Sequence, residues 1–454
     1  MQAIRSVNIF KPSFTDRLFL PVNNAPLIIF RIIFGFLLAY HFSSSIFNGA
    51  VYKNFIQPAF TFTYIGFEFL QPLPGNGMYF YFGLMAVLAV LVMLGAWYRI
   101  AITGFAVLWT ILYLMQKSDY NNHYYLMLLL CWIMVLMPAN RLCAVDVKRK
   151  AVPEASYCSY YCLWIFMAQM TVLYFFAAVS KIDSDWFSGK FIEIQFSRLS
   201  THRILGIFYG QQWFRLLVCY GGFIFDLLII PLLLWKKTRN YAFVFSILFH
   251  LFNSFTFRIG LFPYLSIALN LFFLDARLVH RFFFRLHQPI KRAKTGIVSS
   301  RGRMIILYSL GIYLFLQVII PTRSWFFPGN VFWTEEGYRL SWKMMMRTKS
   351  GKLHFKITDP VTHTTWIEDP ANKFNLSQMM WLSISPDIIW QYAQRLKKEY
   401  AQKGMNNVQV YAVGSVRLNR SSPMPMIDST VDLAAVKWMP FRHSAWLTTF
   451  RKKK

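Results

Sequence analysis

Charge is scarce in this chain, and negative charge scarcer still. Only 15% of its 454 residues are Asp, Glu, Lys or Arg, and 19 acidic side chains stand against 48 basic ones. A soluble protein of this length encloses its apolar residues in a larger charged shell, so the deficit excludes an ordinary soluble globule. Cysteine is rare too. The five present (Cys131, Cys143, Cys158, Cys162 and Cys219) lack metal-site spacing, and the C-terminal third holds none, which excludes a disulfide framework there. No internal repeat or low-complexity tract is visible. No His, Cys and carboxylate cluster has ligand spacing, so no metal is expected.

What is abundant is apolar surface. Hydrophobic residues make up 56% of the chain and aromatic residues 19%. Nine segments are long enough, or nearly so, to cross a ~30 Å hydrocarbon core: 26–46, 78–97, 100–116, 124–138, 156–179, 213–234, 241–257, 260–275 and 303–320. The fourth and eighth are short, so eight spans remain an alternative. The fold class expected is a mainly α, polytopic helical membrane bundle followed by a small α+β extramembrane domain. Residues 1–25 are mixed and aromatic, without a small-residue cleavage site, and read as an interfacial segment.

The formal charge of +29 invites a nucleic-acid partner. The basic residues lie in short clusters between apolar runs, with no recognisable nucleic-acid module among them, so the partners expected are membrane lipids and not nucleic acid. Counted with the N-terminus inside, these clusters fall on inner loops, including eight Lys and Arg between Arg277 and Arg303. The outer loops keep only Lys53, Lys117, Lys181, Lys190, Arg198, Arg203 and Arg258. Basic loops resist translocation, so this asymmetry orients the bundle. A multi-pass protein results, in a bacterial inner membrane or an endoplasmic reticulum membrane. The loops QKSDYNNH, SKIDSDWFSGK and FTFRIGLFPY would then face the periplasm or lumen, with everything beyond Pro321.

That last part, 321–454, changes character. SPDIIWQYAQRLKKEYAQKG predicts a helix, with Ser385 as its cap, Pro386 in the first turn and Gly404 at the end. Ile389, Tyr392, Ala393, Leu396 and Tyr400 share one face. KLHFKITD, TTWIED and VQVYAVGSVRLN predict strands.

Within the bundle, 26–320, some polar residues sit where lipid tolerates them poorly. Lys181 closes the apolar run YFFAAVS and precedes Asp183 and Asp185. A lysine there can simply snorkel to the interface. If drawn out of water it becomes a candidate base, although two adjacent carboxylates would oppose that. Asn121, Asn122 and His123 stand at the outer mouth of the fourth span. His250, Asn253 and Ser254 share a face within a span, where an imidazole is costly unless it lines an interior or a wet cavity. Glu335, Glu336, Tyr338 and Trp342 follow the last span. Polar groups converging at one membrane face suggest a site for an amphiphilic substrate.

KIDSDW (181–186), NNHYYL (121–126), HLFNSFTFRIG (250–260), GYRLSW (337–342) and IDSTVDLAAVKWMPFRHSAW (427–446) together resemble, in order, motifs of the vitamin K-dependent γ-glutamyl carboxylases, which share an HTTM-type membrane domain. A short, cysteine-poor form resembles a bacterial member. The resemblance implies a membrane enzyme that takes reduced vitamin K, O₂ and CO₂ as co-substrates and a glutamate-containing peptide or protein from the exoplasmic side. Oxygenation of the quinone to its epoxide is coupled to γ-proton removal and CO₂ addition. Carried over by position, Lys181 is the base, Asn122 and His123 hold or polarise the bound intermediate, and Tyr338 borders the meeting place of glutamate and quinone. His250, Asn253, Asn121 and Trp342 surround the cofactor. Arg347 and Ser429 stand where the animal pattern has histidine and arginine. Two alternatives stay open: a quinone epoxidase without carboxylation, and a non-enzymatic carrier or scaffold. Lys181, His123 and His250 together argue against the scaffold.

Overall fold

The computed structural model describes residues 13–199, 206–257, 259–285 and 298–451. Residues 1–12 of the expected interfacial segment lie outside the described residues, as do Arg203, Arg258, and Lys291, Arg292 and Lys294 of the basic run between the last two expected spans.

Each of the nine expected spans falls on a helix. They are α1 (Ala25–Phe47), α2 (Gly77–Leu94), α3 (Tyr98–Met115), α4 (Asn122–Leu136), α5 (Tyr161–Ser180), α6 (Gln212–Leu234), α7 (Arg239–Phe257), α8 (Phe262–Asn270) and, after a short α9 (Ala276–Phe283), α10 (Ser300–Thr322). Among the described residues six of them are long and apolar enough to cross a membrane, or seven if α8 and α9, bent by 118° at their junction, form one broken span. The expected count of nine is therefore reduced by physical length in one case: α4, at 15 residues, rises only ~22 Å. The chain is a multi-pass membrane protein, mainly helical.

The bundle packs tightly where side chains vanish. At Gly35 of α1 an added Cβ would lie 2.5 Å from the Met93 backbone nitrogen, so glycine lets α1 and α2 meet. Arg31 is wholly buried in α1 and survives because its guanidinium donates to the carbonyls of Ala139 (3.0 Å), Leu142 (3.4 Å) and Cys143 (2.6 Å). Those bonds anchor the first span to the loop after α4 and offset much of the cost of a charge in a bundle, with Nε alone left without a partner.

Beyond the last span, an antiparallel sheet forms from β1 (Lys349–Thr358), β2 (Thr365–Glu368) and β3 (Gln409–Leu418), in the order β2-β1-β3. All three strands fall where sequence alternation put them. Helix α11 (Pro386–Gln402) buries Ile389, Tyr392, Ala393, Leu396 and Tyr400, the predicted face. Gly404 follows it at φ +85°, a backbone state that favours glycine. Ser385 occupies the cap position without a side-chain capping bond.

This α+β unit rests on the bundle loops. Its apolar core also contains Phe62, Trp186, Phe191, Ile192 and Phe196, all from segments between spans. Gln378 and Gln391 donate to the carbonyls of Phe60 (2.9 Å) and Thr63 (3.1 Å).

Candidate active site

Helix α5 ends at Ser180, and Lys181 is its C-cap residue. The side chain turns inward and the residue is only 6% exposed, which removes the simple snorkel reading. Its Nζ donates to Oδ2 of Asp226 at 2.5 Å and, more weakly, to the Ala177 carbonyl at 3.4 Å. Asp226 lies near the middle of α6 and is equally buried. The Trp186 ring covers the amine at 5.2 Å from the ring centroid, and its Nε1 donates to the Cys219 carbonyl (2.9 Å), which ties the loop after Lys181 to α6.

The two carboxylates adjacent in sequence have other tasks. Asp183 caps the short helix Ser184–Phe187 by accepting from the Asp185 amide (2.8 Å). Asp185 accepts from the Asn419 side chain of the extramembrane domain (3.0 Å).

Lys181 and Asp226 line a cavity of about 290 Å³, near the lower bound of the ~300–1,000 Å³ usual for ligand pockets. Besides that pair its polar groups include His123 from α4 and Asn253 from α7; much of the rest of the wall is Phe, Leu, Val, Ile and Met. Gly221 and Gly222 of α6 leave one side bare, and a Cβ at Gly221 would meet nothing within 4 Å. Leu217 (58% exposed) and Phe245 (55% exposed) belong both to this wall and to the outer surface, so the cavity opens between α6 and α7. Met344 and Met345 reach it from the segment after the last span.

The sequence candidates divide by place. Lys181, His123 and Asn253 meet at the cavity; the His123 ring stacks on Phe262 at 4.4 Å. His250, one turn earlier on α7, is buried behind that wall, its Nε2 2.9 Å from the Tyr174 hydroxyl on α5. Its Nδ1 is buried with no hydrogen-bond partner.

Asn121, Asn122, Tyr338 and Trp342 do not line this cavity: Asn121 caps α4, and the other three lie where residues 337–346 meet α4. Asn121 is the N-cap of α4 and accepts from the Tyr124 amide (2.8 Å). Asn122 Nδ2 donates to the Lys343 carbonyl (3.3 Å), as does the Tyr338 hydroxyl (3.3 Å). Tyr120 donates to Asn122 Oδ1 (2.9 Å) and accepts from the Leu340 amide (2.7 Å). Trp342 is wholly buried against the Tyr125 ring at 4.9 Å. Leu340, Trp342 and Met345 all have positive φ, a concentration of strain that packing must hold in place.

Sequence reasoning misses Asp226. Its signal was present: one carboxylate within GFIFDLLIIP, where lipid penalises a charge that lacks a partner. It also misses the two methionines, which nothing local distinguishes from core filler.

Outside the spans, ion pairs join the domain to the bundle. Asp387, at the start of α11, accepts from Lys117 (2.7 Å) and Arg339 (2.6 Å). Burial acts to raise this carboxyl, but the two cations outweigh it and hold it well below the usual carboxylate range. Glu335 is paired with Arg347 (2.6 Å) and Lys349 (3.3 Å). Among the described residues no cluster of three or more His, Cys, Asp or Glu is arranged to hold a metal ion.

Two family models match this chain. Residues 19–277 match the HTTM domain, and residues 302–453 match the vitamin K-dependent gamma-carboxylase, lumenal domain. No solved structure matches it.

Proposed function

Because this chain belongs to the vitamin K-dependent gamma-carboxylase family, we propose that it carboxylates glutamate side chains at the Lys181 cavity, using reduced vitamin K, O₂ and CO₂. The observation that carries this reading is one amine, paired with one carboxylate, in a largely apolar cavity that opens between two helices of the bundle.

The residues fit a naphthoquinone ring. Aromatic walls from Phe245, Phe249 and Phe262 suit a flat apolar head group, and the gap between α6 and α7 suits an isoprenoid tail in lipid. When bound, reduced vitamin K supplies with O₂ the strong base that removes the glutamate γ-proton. The protein's own part is proton handling and exclusion of water. Asp226 lies 2.5 Å from the Lys181 amine, so it orients that amine within the cavity. An uncharged Lys181 would accept a hydroquinone proton, and the Asp226 carboxylate would hold the ammonium that results. His123 and Asn253 offer hydrogen bonds to oxygens on the ring, and the phenylalanine wall keeps water from quenching a carbanion.

In this reading residues 26–320 form the quinone-handling bundle and residues 321–454 an exoplasmic domain, with the N-terminus on the cytoplasmic side. Asn122, Tyr338 and Trp342 act by holding 337–346 over the cavity, and His250 by bracing α7 against α5.

Membranes given reduced vitamin K, labelled CO₂ and a glutamate-containing peptide test the proposal. The expected products are epoxide and labelled γ-carboxyglutamate, and Lys181→Ala should lose both by at least ~100-fold with expression intact. Epoxide without label would leave only the quinone half. Full activity in Lys181→Ala would remove the lysine from its role.

A further inference from the structure

The segment that sends Met344 and Met345 into the first cavity sends Gly337, Arg339 and Leu340 into a second, of about 270 Å³. Its walls come from bundle loops, the end of the last span and the extramembrane domain. Unlike the first it is strongly charged, lined by Lys117, Arg323, Arg339 and Arg442 and by three acids.

The acids are already engaged. Asp387 takes Lys117 and Arg339, Glu335 takes Arg347 and Lys349 from behind the wall, and Glu336 is paired with His443 (2.7 Å) and the Ser444 amide (2.8 Å). Donors are left over. Arg323 donates one nitrogen to the Arg339 carbonyl, while its Nε is buried with no partner. Arg339 has two such nitrogens, Nε and Nη2. Arg442 is exposed, and among the described residues no carboxylate is paired with either Arg323 or Arg442.

Guanidinium groups carry donors only, so the surplus calls for an acceptor-only ligand, and planar forks match a carboxylate best. The volume exceeds what a small inorganic anion needs, and one chain segment, 337–346, contributes to the walls of both this cavity and the Lys181 cavity. We infer that this second cavity binds a carboxylate of the peptide substrate other than the one that reacts, so that the protein selects peptides with a further acidic residue near the target glutamate. The inference rests on the carboxylation reading for the identity of the ligand, but its test does not need turnover.

The test is full-length protein in lipid nanodiscs, titrated with two fluorescein-labelled peptides and read by fluorescence anisotropy. One peptide carries two nearby glutamates; in the other, one of them is glutamine. Wild-type protein should bind the first about tenfold more tightly, the scale of a charge-assisted contact, and the preference should shrink in high salt. Arg442→Ala and Arg323→Gln should each erase much of that difference, whereas Lys352→Ala, an exposed lysine of β1, should keep it. Arg442 is exposed, so its variant remains informative even if Arg323→Gln fails to fold. Equal binding of both peptides to wild type overturns the inference, and so does a preference that survives Arg442→Ala. Bicarbonate that binds with the same arginine dependence, while the peptides do not differ, would make the occupant a small anion and also overturn it. An arginine-dependent preference without labelled carboxylation of either peptide would fault the reaction assigned above and support the second cavity.

Discussion

At the scale of single residues, the decisive contact is between Lys181 and Asp226. Two buried charges cost several kcal/mol each before their attraction is counted, and removing one partner strands the other. Asp226→Asn should therefore do two things at once. It should lower the midpoint of thermal unfolding, consistent with a loss of about 3–5 kcal/mol, and depress epoxide formation far more through kcat than through KM for the quinone. A merely structural role for Asp226 predicts the first effect without the second. Gly221 makes the opposite kind of residue test. Its Cβ would project into open space, so Gly221→Leu should leave the unfolding midpoint nearly unchanged and raise KM for the quinone by tenfold or more by filling the cavity. An unaltered KM would mean that the quinone lies elsewhere.

Among elements, the segment 337–346 matters most, because it is wall to both cavities. It is held to α4 by Asn122 and Tyr125, to Tyr120 just before that helix, and to the end of the last span at Gly337. Gly337 has φ +71°, and a Cβ there would lie 2.7 Å from Ser324 Cα. Glycine alone fits both demands. Gly337→Ala should cost about 1–3 kcal/mol and lift the segment, seen as a lower unfolding midpoint together with faster amide exchange at Met344 and Met345. Asn121, Asn122, Tyr338 and Trp342 stood out as polar or aromatic groups near a membrane face, yet the geometry gives them to backbone capping and to this segment. Spacing cannot tell a ligand contact from a bond to a carbonyl 221 residues away.

For the whole molecule, the question is what keeps the α+β domain on the bundle. Part of the answer is the Asp387 cluster, which links α11 to Lys117 between two spans. The carboxyl is held below its usual range in the folded protein, so the unfolded chain binds its proton more readily as pH falls. Its contribution is then fully present above about pH 4 and lost progressively below that value. Wild type should exceed Asp387→Asn in unfolding midpoint at pH 5 to 7, and the gap should narrow as pH is taken below about 4, as followed by tryptophan fluorescence. A gap that stays constant down to pH 2 would mean the cluster carries no such linkage.

What the sequence by itself determined is the class of the protein and the outline of both parts. Apolar runs near 20 residues, strand alternation, and a Ser-Pro start with a Gly end are local properties, legible because backbone hydrogen bonding in lipid and side-chain period act over short stretches. The same reading found Lys181 but looked for its carboxylates two and four residues away. Only the tertiary structure decided that the partner is Asp226, 45 residues distant on another helix, and that Asp183 and Asp185 serve other neighbours. The reason is physical: a buried charge needs whichever opposite group the packed helices bring within hydrogen-bond reach, and chain proximity does not choose it.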